Sequence, residues 1–175
     1  MKKISNLVLL FTIIFFVSCS SDDGEDTILE PGANSTGNMY ASIQGVDFAA
    51  SKVKAYKQTN YTYIEGAQDI SSKSGTYSKV TIRITVQDLK QPMLFGIGEN
   101  GNGLIYYAHS TLTYTLKSGN PSLEYKGEYV ENLSLLEITE LTEKKISGTF
   151  GFRAVNNNTA TTNLNVEEGR FSITF

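Results

Sequence analysis

An all-β domain is the fold that this sequence predicts, and three observations support it. From residue 38 onward, apolar and polar residues alternate with a period of two, as in strands with one buried face. Glycine, asparagine, serine and proline separate these segments. No window carries the apolar spacing of an amphipathic helix. We therefore expect a predominantly antiparallel β-sandwich of about eight to ten strands, with barrel-like closure as an alternative.

The first strands follow from short alternating segments. Met39, Ala41 and Ile43 alternate with polar neighbours and predict a strand that ends in a turn at Gly45. The most regular segment is residues 80–86, in which four β-branched apolar residues alternate with Thr, Arg and Thr. One face of that strand should therefore be buried and the other exposed to water.

The C-terminal third predicts a β-hairpin followed by a last strand. Residues 133–141 and 146–152 alternate on either side of a polar turn at 142–145. Residues 166–170 should then turn the chain into a final strand at 171–175, in which every second residue is apolar.

The first 18 residues predict an export signal. Lys2 and Lys3 form a positive start, and residues 7–17 are apolar except for Thr12. This run is too short to span a bilayer, which needs about 20 apolar residues, and it is typical of a signal peptide.

The only cysteine of the chain, Cys19, follows this signal. Phe16-Val17-Ser18-Cys19 resembles a bacterial lipobox, with phenylalanine where leucine is commonest. The resemblance implies that the Cys19 thiol takes a diacylglyceryl group and that the new amino terminus is acylated, for example with palmitate. Each buried methylene contributes about 0.8 kcal/mol, so two or three chains would anchor the protein stably to a membrane. The alternative is an ordinary secretory signal followed by an unmodified thiol.

Residues 19–37 predict a solvated acidic tether. Ser21, Asp22, Asp23 and Glu25 lie directly after Cys19, and such a polar, charged run cannot bury enough apolar surface to fold alone. The run resembles the surface-export signal of Bacteroidetes-type lipoproteins. This resemblance implies an outer-membrane protein that faces the cell exterior, whereas a spacer on a periplasm-facing lipoprotein is the alternative.

Residues 38–175 are expected to form one neutral domain. The chain has 15 basic and 18 acidic residues. Lys2 and Lys3 lie in the signal and five acidic residues lie in the tether, which leaves 13 of each sign for the domain. The domain therefore has no basic field for nucleic acid. With its single cysteine lipidated, the mature protein has no disulfide, so packing must stabilise the fold.

Two motifs resemble a family of Bacteroidetes-type lipoproteins whose domain has no assigned function. They are the run "ISGTFGF" at 146–152 and the closing "GRFSITF" at 169–175, and the opening "MYASIQGVDFAA" is similar to that family's first strand and turn. These are packing motifs. The resemblance implies a sandwich or barrel-like fold and supplies no catalytic residue.

The sequence favours neither an enzyme nor a metal site. His109 is the only histidine, and no Gly-x-Ser-x-Gly pattern or His/Cys cluster accompanies it. Glu124 and Glu128 should share a solvated strand face, which disfavours a glycosidase pair. The glycine loop at 98–103 offers oxygen donors but one carboxylate, which is a poor charge count for calcium. We expect no catalytic residue, no metal and no cofactor.

Tyrosine is the remaining indication of a binding surface. The chain has ten tyrosines and no tryptophan, and exposed tyrosines suit a sugar ring or a protein partner. We take Tyr61, Tyr63, Tyr106 and Tyr107 as candidate ligand-binding residues. Neighbours on a strand face opposite ways, so one of Tyr106 and Tyr107 should point outward. Alternatively, the tyrosines simply fill a β-surface, for which they have a high propensity.

The first hypothesis is therefore a membrane-anchored, non-catalytic binding or accessory module for a glycan or an outer-membrane protein. One alternative is a lipocalin-like carrier of a small apolar ligand, because a barrel of this size can enclose one. Another is a purely structural envelope protein. An open, dry cavity along the barrel axis would favour the carrier, whereas two sheets with interdigitated side chains would exclude it.

Overall fold

The computed structural model describes residues 35–70, 76–98, 106–118, 123–156 and 163–175. Strands account for 74% of these residues, which include no helix and hence none that could cross a membrane. The all-β class and the mostly antiparallel arrangement are confirmed. The strands are β1 (Thr36–Ile43), β2 (Val46–Ala49), β3 (Lys52–Gln58), β4 (Tyr61–Asp69), β5 (Tyr77–Gln87), β6 (Leu94–Ile97), β7 (Tyr107–Leu116), β8 (Leu123–Glu128), β9 (Leu135–Leu141), β10 (Lys145–Val155) and β11 (Leu164–Thr174).

These eleven strands, where eight to ten were expected, form one sheet that closes unevenly into a ring. Ten of them follow the order β2-β1-β11-β10-β9-β6-β7-β5-β4-β3, and β8 lies off this path, paired with β7 and β10. The first and last long strands, β1 and β11, pair side by side. The ring closes where β1 approaches β3: Ala55 N of β3 donates to Oγ of Ser35, the residue before β1, at 3.4 Å, and Ser35 Oγ lies 3.5 Å from Ala55 O. This arrangement corresponds to the barrel-like closure named as the alternative.

The closure is uneven because the gap between β7 and β10 is filled differently at its two ends. At one end β8 alone bridges it, pairing with β7 and with the last residues of β10. At the other end two strands are needed: β6 pairs with β7 in parallel, and β9 pairs with β6 and β10 antiparallel.

The core lies inside the ring, as the alternation predicts. Val80, Ile82, Ile84 and Val86 of β5 are buried, whereas Arg83 between them is exposed. The predicted hairpin is present as β9 and β10, and its apolar residues face inward. Because every long strand contributes alternate residues to one cluster, the centre of the ring is packed with side chains.

The predicted turn at 166–170 is wrong, because β11 runs through it with a β-bulge. Glu168 has a left-handed φ of 53°, and the pairing shifts by one residue against both β1 and β10 at this point. The next residue must be glycine, because a Cβ at Gly169 would overlap the carbonyl oxygen and the ring of Phe150. The extra residue bends a long strand and does not reverse it.

Candidate functional site

An apolar cavity of about 400 Å³ opens at one end of the ring, which we call the mouth. This volume lies near the lower limit of small-molecule pockets, roughly 300–1,000 Å³. β1 runs toward the mouth and begins at the opposite end, where Thr36 pairs with Thr174. The cavity is lined by Ile43, Gln44, Val46, Asp47, Phe48, Gln68, Ile70, Thr76, Tyr77, Val80, Tyr114 and Leu164.

The apolar walls follow from the inward positions of the strands that end here. Ile43 and Phe48 are buried on either side of the turn between β1 and β2. Val80 comes from the inner face of β5, and Val46 is 67% exposed at the edge of the opening. The packed core lies beneath them, so the cavity is a pocket at one end and does not run along the whole axis.

Three tyrosines, Tyr77, Tyr114 and Tyr125, form a chain of ring contacts beside the cavity, and we call them the mouth tyrosines. The rings of Tyr77 and Tyr114 lie 5.2 Å apart at 54°, and those of Tyr114 and Tyr125 lie 6.2 Å apart at 71°. Burial raises the pKa of Tyr114, with smaller contributions from the neighbouring phenols, and burial also raises the pKa of Tyr125. Both phenols are therefore held in their neutral form.

Gln68 is the polar side chain that β4 contributes to the cavity wall. Thr62, Ile64 and Gly66 face the interior, so Gln68 continues the same inner face opposite Val80. Its side-chain amide has no hydrogen-bond partner within the described residues. It can therefore donate to or accept from a group inside the cavity.

Asp47 is the charged residue among the described lining residues, and its position directs it away from the cavity. It alternates with Val46 and Phe48 on β2 and pairs with Ser42 on the outer side of β1. Among the described lining residues, the side chains that face the cavity are therefore uncharged.

Two of the predicted binding residues, Tyr61 and Tyr63, lie together on the outer wall of the ring, outside the cavity. Tyr63 stacks on Tyr56 with ring centroids 4.8 Å apart and planes at 14°, and it lies 6.4 Å from Tyr61. We call these three the wall tyrosines. The strand register places Thr85 and His109 in line with Tyr63 across this outer face, since Tyr63 pairs with Thr85 and Thr85 pairs with His109.

An ion pair lies beside the wall tyrosines. Arg83 donates from Nη2 and Nε to Glu65 Oε2, at 2.7 and 2.9 Å. The hydrogen bond to Glu65 raises the pKa of Arg83, against the opposing effect of burial. The wall therefore presents aromatic rings next to a fixed planar guanidinium.

The other two predicted tyrosines do not join this group. Tyr106 is 52% exposed and meets Phe95 edge-on at 6.3 Å. Tyr107 begins β7, and its side chain lies outside the described residues. Of the four candidates, the structure brings together Tyr61 and Tyr63.

The remaining sequence-based candidates are placed as follows. His109 is exposed on β7, and the described residues hold no group of three or more His, Cys, Asp or Glu side chains that could bind a metal. Glu124 and Glu128 are exposed on β8, on the solvated face predicted for them. The glycine loop after Gly98 lies outside the described residues. The predicted anchor and export residues also lie outside them, and these are Cys19, Ser21, Asp22, Asp23 and Glu25.

Sequence reasoning missed the mouth tyrosines, although a signal for them exists. Tyr114 stands between Leu112 and Leu116 in one apolar stripe, and Tyr125 alternates with charged residues. A tyrosine on the apolar face of an amphipathic strand must point into the ring, where its hydroxyl needs a polar opening.

Comparisons of this chain with protein-family models, with curated proteins and with solved structures found no match.

Proposed function

We propose that this protein is a lipid-anchored, non-catalytic binding protein that carries a small apolar ligand in the mouth cavity. The observation that carries the proposal is the cavity itself: about 400 Å³, walled largely by apolar side chains and aromatic rings at one end of the unevenly closed ring. The cavity occupies one end of the ring above a packed centre and does not form an open axis, so it supports the carrier, an alternative at the level of sequence, through its apolar walls alone.

The physical basis of binding is burial of apolar surface. A ligand in the cavity would contact Phe48, Val80 and the ring of Tyr114, and each Å² of apolar surface removed from water contributes about 25 cal/mol. The packed core beneath the cavity keeps the walls in place without the ligand. Little binding energy is then needed to order the site, which favours affinity.

The anchor and the location remain proposals based on the sequence. The lipobox at Cys19 and the acidic run from Ser21 support a lipoprotein of the Bacteroidetes type, held in the outer membrane and facing the cell exterior. Mass spectrometry of the mature amino-terminal peptide should find acyl chains on Cys19. Proteinase added to intact cells should degrade the domain, and a protected domain would contradict surface exposure.

A second candidate function is supported by the wall tyrosines. Tyr56, Tyr61 and Tyr63 with the neighbouring Arg83 offer aromatic and planar polar surface on a sheet face, which suits a glycan or an outer-membrane protein. If this surface is the functional one, Tyr61→Ala should abolish capture of glycans or of a cross-linked partner, while cavity variants leave capture unchanged.

The carrier is tested with a pair of neighbouring variants in the full chain. Ile70→Trp places a large ring at the half-buried cavity wall, whereas Asp69→Trp places the same ring on an exposed residue of β4. Binding of the neutral fluorescent probe N-phenylnaphthylamine should fall at least about tenfold in Ile70→Trp and stay unchanged in Asp69→Trp. Equal probe binding by the wild type and both variants would reject the proposed function.

A further inference from the structure

We infer that the mouth cavity selects uncharged ligands that carry one hydrogen-bonding head group, such as a long-chain alcohol, over fatty acid anions and alkylammonium cations of the same length. The inference rests on the proposed function and specifies its ligand class. Three features of the described residues carry it: the uncharged inner lining, the neutral phenols and the unpartnered amide of Gln68.

The first step concerns the cost of bringing an ion into this cavity. An ion taken out of water loses several kcal/mol of solvation unless an opposite charge compensates for it. Asp47 is the charged residue of the described lining, and it lies on the outer side of β2. Neither a carboxylate nor an ammonium group would therefore meet a compensating charge among these lining residues.

The second step concerns the mouth tyrosines. A phenolate beside the cavity would attract cations, but a phenol is already neutral at neutral pH, and burial raises the pKa of Tyr114 further above its ordinary value. A set of rings can also bind a cation over their faces. Here the ring centroids lie only 5.2 and 6.2 Å apart, so each ring packs directly against its neighbour and no cation fits between them.

The third step concerns the head group. Gln68 offers two N–H donors and one carbonyl acceptor, none of them paired within the described residues. A ligand hydroxyl or carbonyl can pair with this amide, while the apolar remainder contacts Ile70, Val80 and Leu164. One polar contact in an otherwise apolar site fixes the orientation of a ligand.

The test uses decanol, decanoate and decylammonium as probes at neutral pH, each competing with N-phenylnaphthylamine on the full chain. We expect decanol to bind at least about tenfold more tightly than either ion. Gln68→Leu should weaken decanol binding about fivefold, as expected for one lost hydrogen bond. Gln87→Leu, a change at an exposed glutamine of β5, is the matched control and should have no effect.

Introducing a charge into the cavity wall gives the sharper result. Gln68→Lys places a cation in the cavity wall, and decanoate should then bind more tightly than decanol. Thermal unfolding of each variant shows whether the fold is retained, and Gln68→Glu, which should favour decylammonium, replaces Gln68→Lys if that variant is unfolded.

The outcomes separate the inference from the proposed function. If the wild type binds neither decanol nor the neutral dye, the proposed function fails. If decanoate or decylammonium binds as tightly as decanol, the carrier stands and the selectivity inference is overturned. If Gln68→Leu leaves decanol affinity unchanged, the assigned head-group contact is overturned.

Discussion

The mouth tyrosines and the wall tyrosines are the same residue type placed on opposite surfaces of one ring. The mouth group lies beside an apolar cavity with its phenols partly removed from water, and Tyr125 is only 7% exposed. The wall group stacks on the outside next to an ion pair. The two groups differ in the face of the strand on which each tyrosine lies, because successive residues of a strand point to opposite faces of the sheet. A count of tyrosines therefore does not identify a binding site until the face of each is known.

The largest expected difference between the two groups is in stability. Tyr125→Ala removes a buried ring and should lower the free energy of unfolding by about 3 kcal/mol. Tyr63→Ala removes a stacked ring at the surface and should cost about 1 kcal/mol. Urea denaturation of both variants measures the two values. Similar losses would mean that the inner and outer faces do not differ as described.

Two buried serines extend the comparison to the interior. Ser110 Oγ is buried and has no partner within the described residues, whereas the equally buried Ser134 Oγ donates to Glu128 O at 2.6 Å. Ser110→Ala should therefore stabilise the protein by about 1 kcal/mol, and Ser134→Ala should destabilise it by about as much. Denaturant midpoints check the signs, and a loss of stability in Ser110→Ala would contradict the unpartnered hydroxyl.

The ion pair of the outer wall should contribute little. Arg83 is 49% exposed on its side chain, so solvent screens its contact with Glu65. Glu65→Gln should lower the free energy of unfolding by about 0.5 kcal/mol, and the loss should shrink in high salt. A loss that persists in high salt would indicate that the pair is less accessible to solvent than the structure shows.

The smallest effect is expected from alkaline pH. The folded-state pKa of Tyr114 is raised above its ordinary value of 10.0 by burial. Its contribution to stability is therefore fully present below that value and is lost as pH rises through the raised pKa, because the unfolded chain releases the proton first. Tyr114→Phe should make unfolding less sensitive to pH in this window. An unchanged pH dependence would contradict the assigned burial.

Much of the fold could be predicted from alternation alone. The inward positions of β5 and the β9–β10 hairpin follow from local patterns, because each strand reports which of its faces is apolar. The closure of the ring could not be predicted in this way. It depends on pairing between strands distant in sequence, such as β1 with β11 and β6 with β9, and no local pattern specifies such partners.

One error of detail arises from pairing between distant strands. The polar run around Glu168 suggests a turn, but pairing with neighbours on both sides keeps β11 continuous through a bulge. Tertiary pairing here overrides a local signal for a break.

The candidate site was less predictable than the fold. Tyr61 and Tyr63 are candidates because they are tyrosines close in sequence, and the structure does bring them together. The cavity instead depends on residues from β1, β2, β4, β5, β7 and β11 that meet at one end of the ring. Such convergence is a property of the closed sheet and is not visible in any single segment.

The direction of β1 determines which end of the domain is left free for a ligand to enter and leave the mouth cavity. Thr36, the start of β1, lies beside Thr174 at the end of the ring farthest from the opening. With acyl chains on Cys19, the tether would join the domain at the end opposite the cavity and would leave the opening free for exchange of a ligand with the surrounding water. A fluorophore fused at Phe175, which follows Thr174, would likewise leave the opening unobstructed.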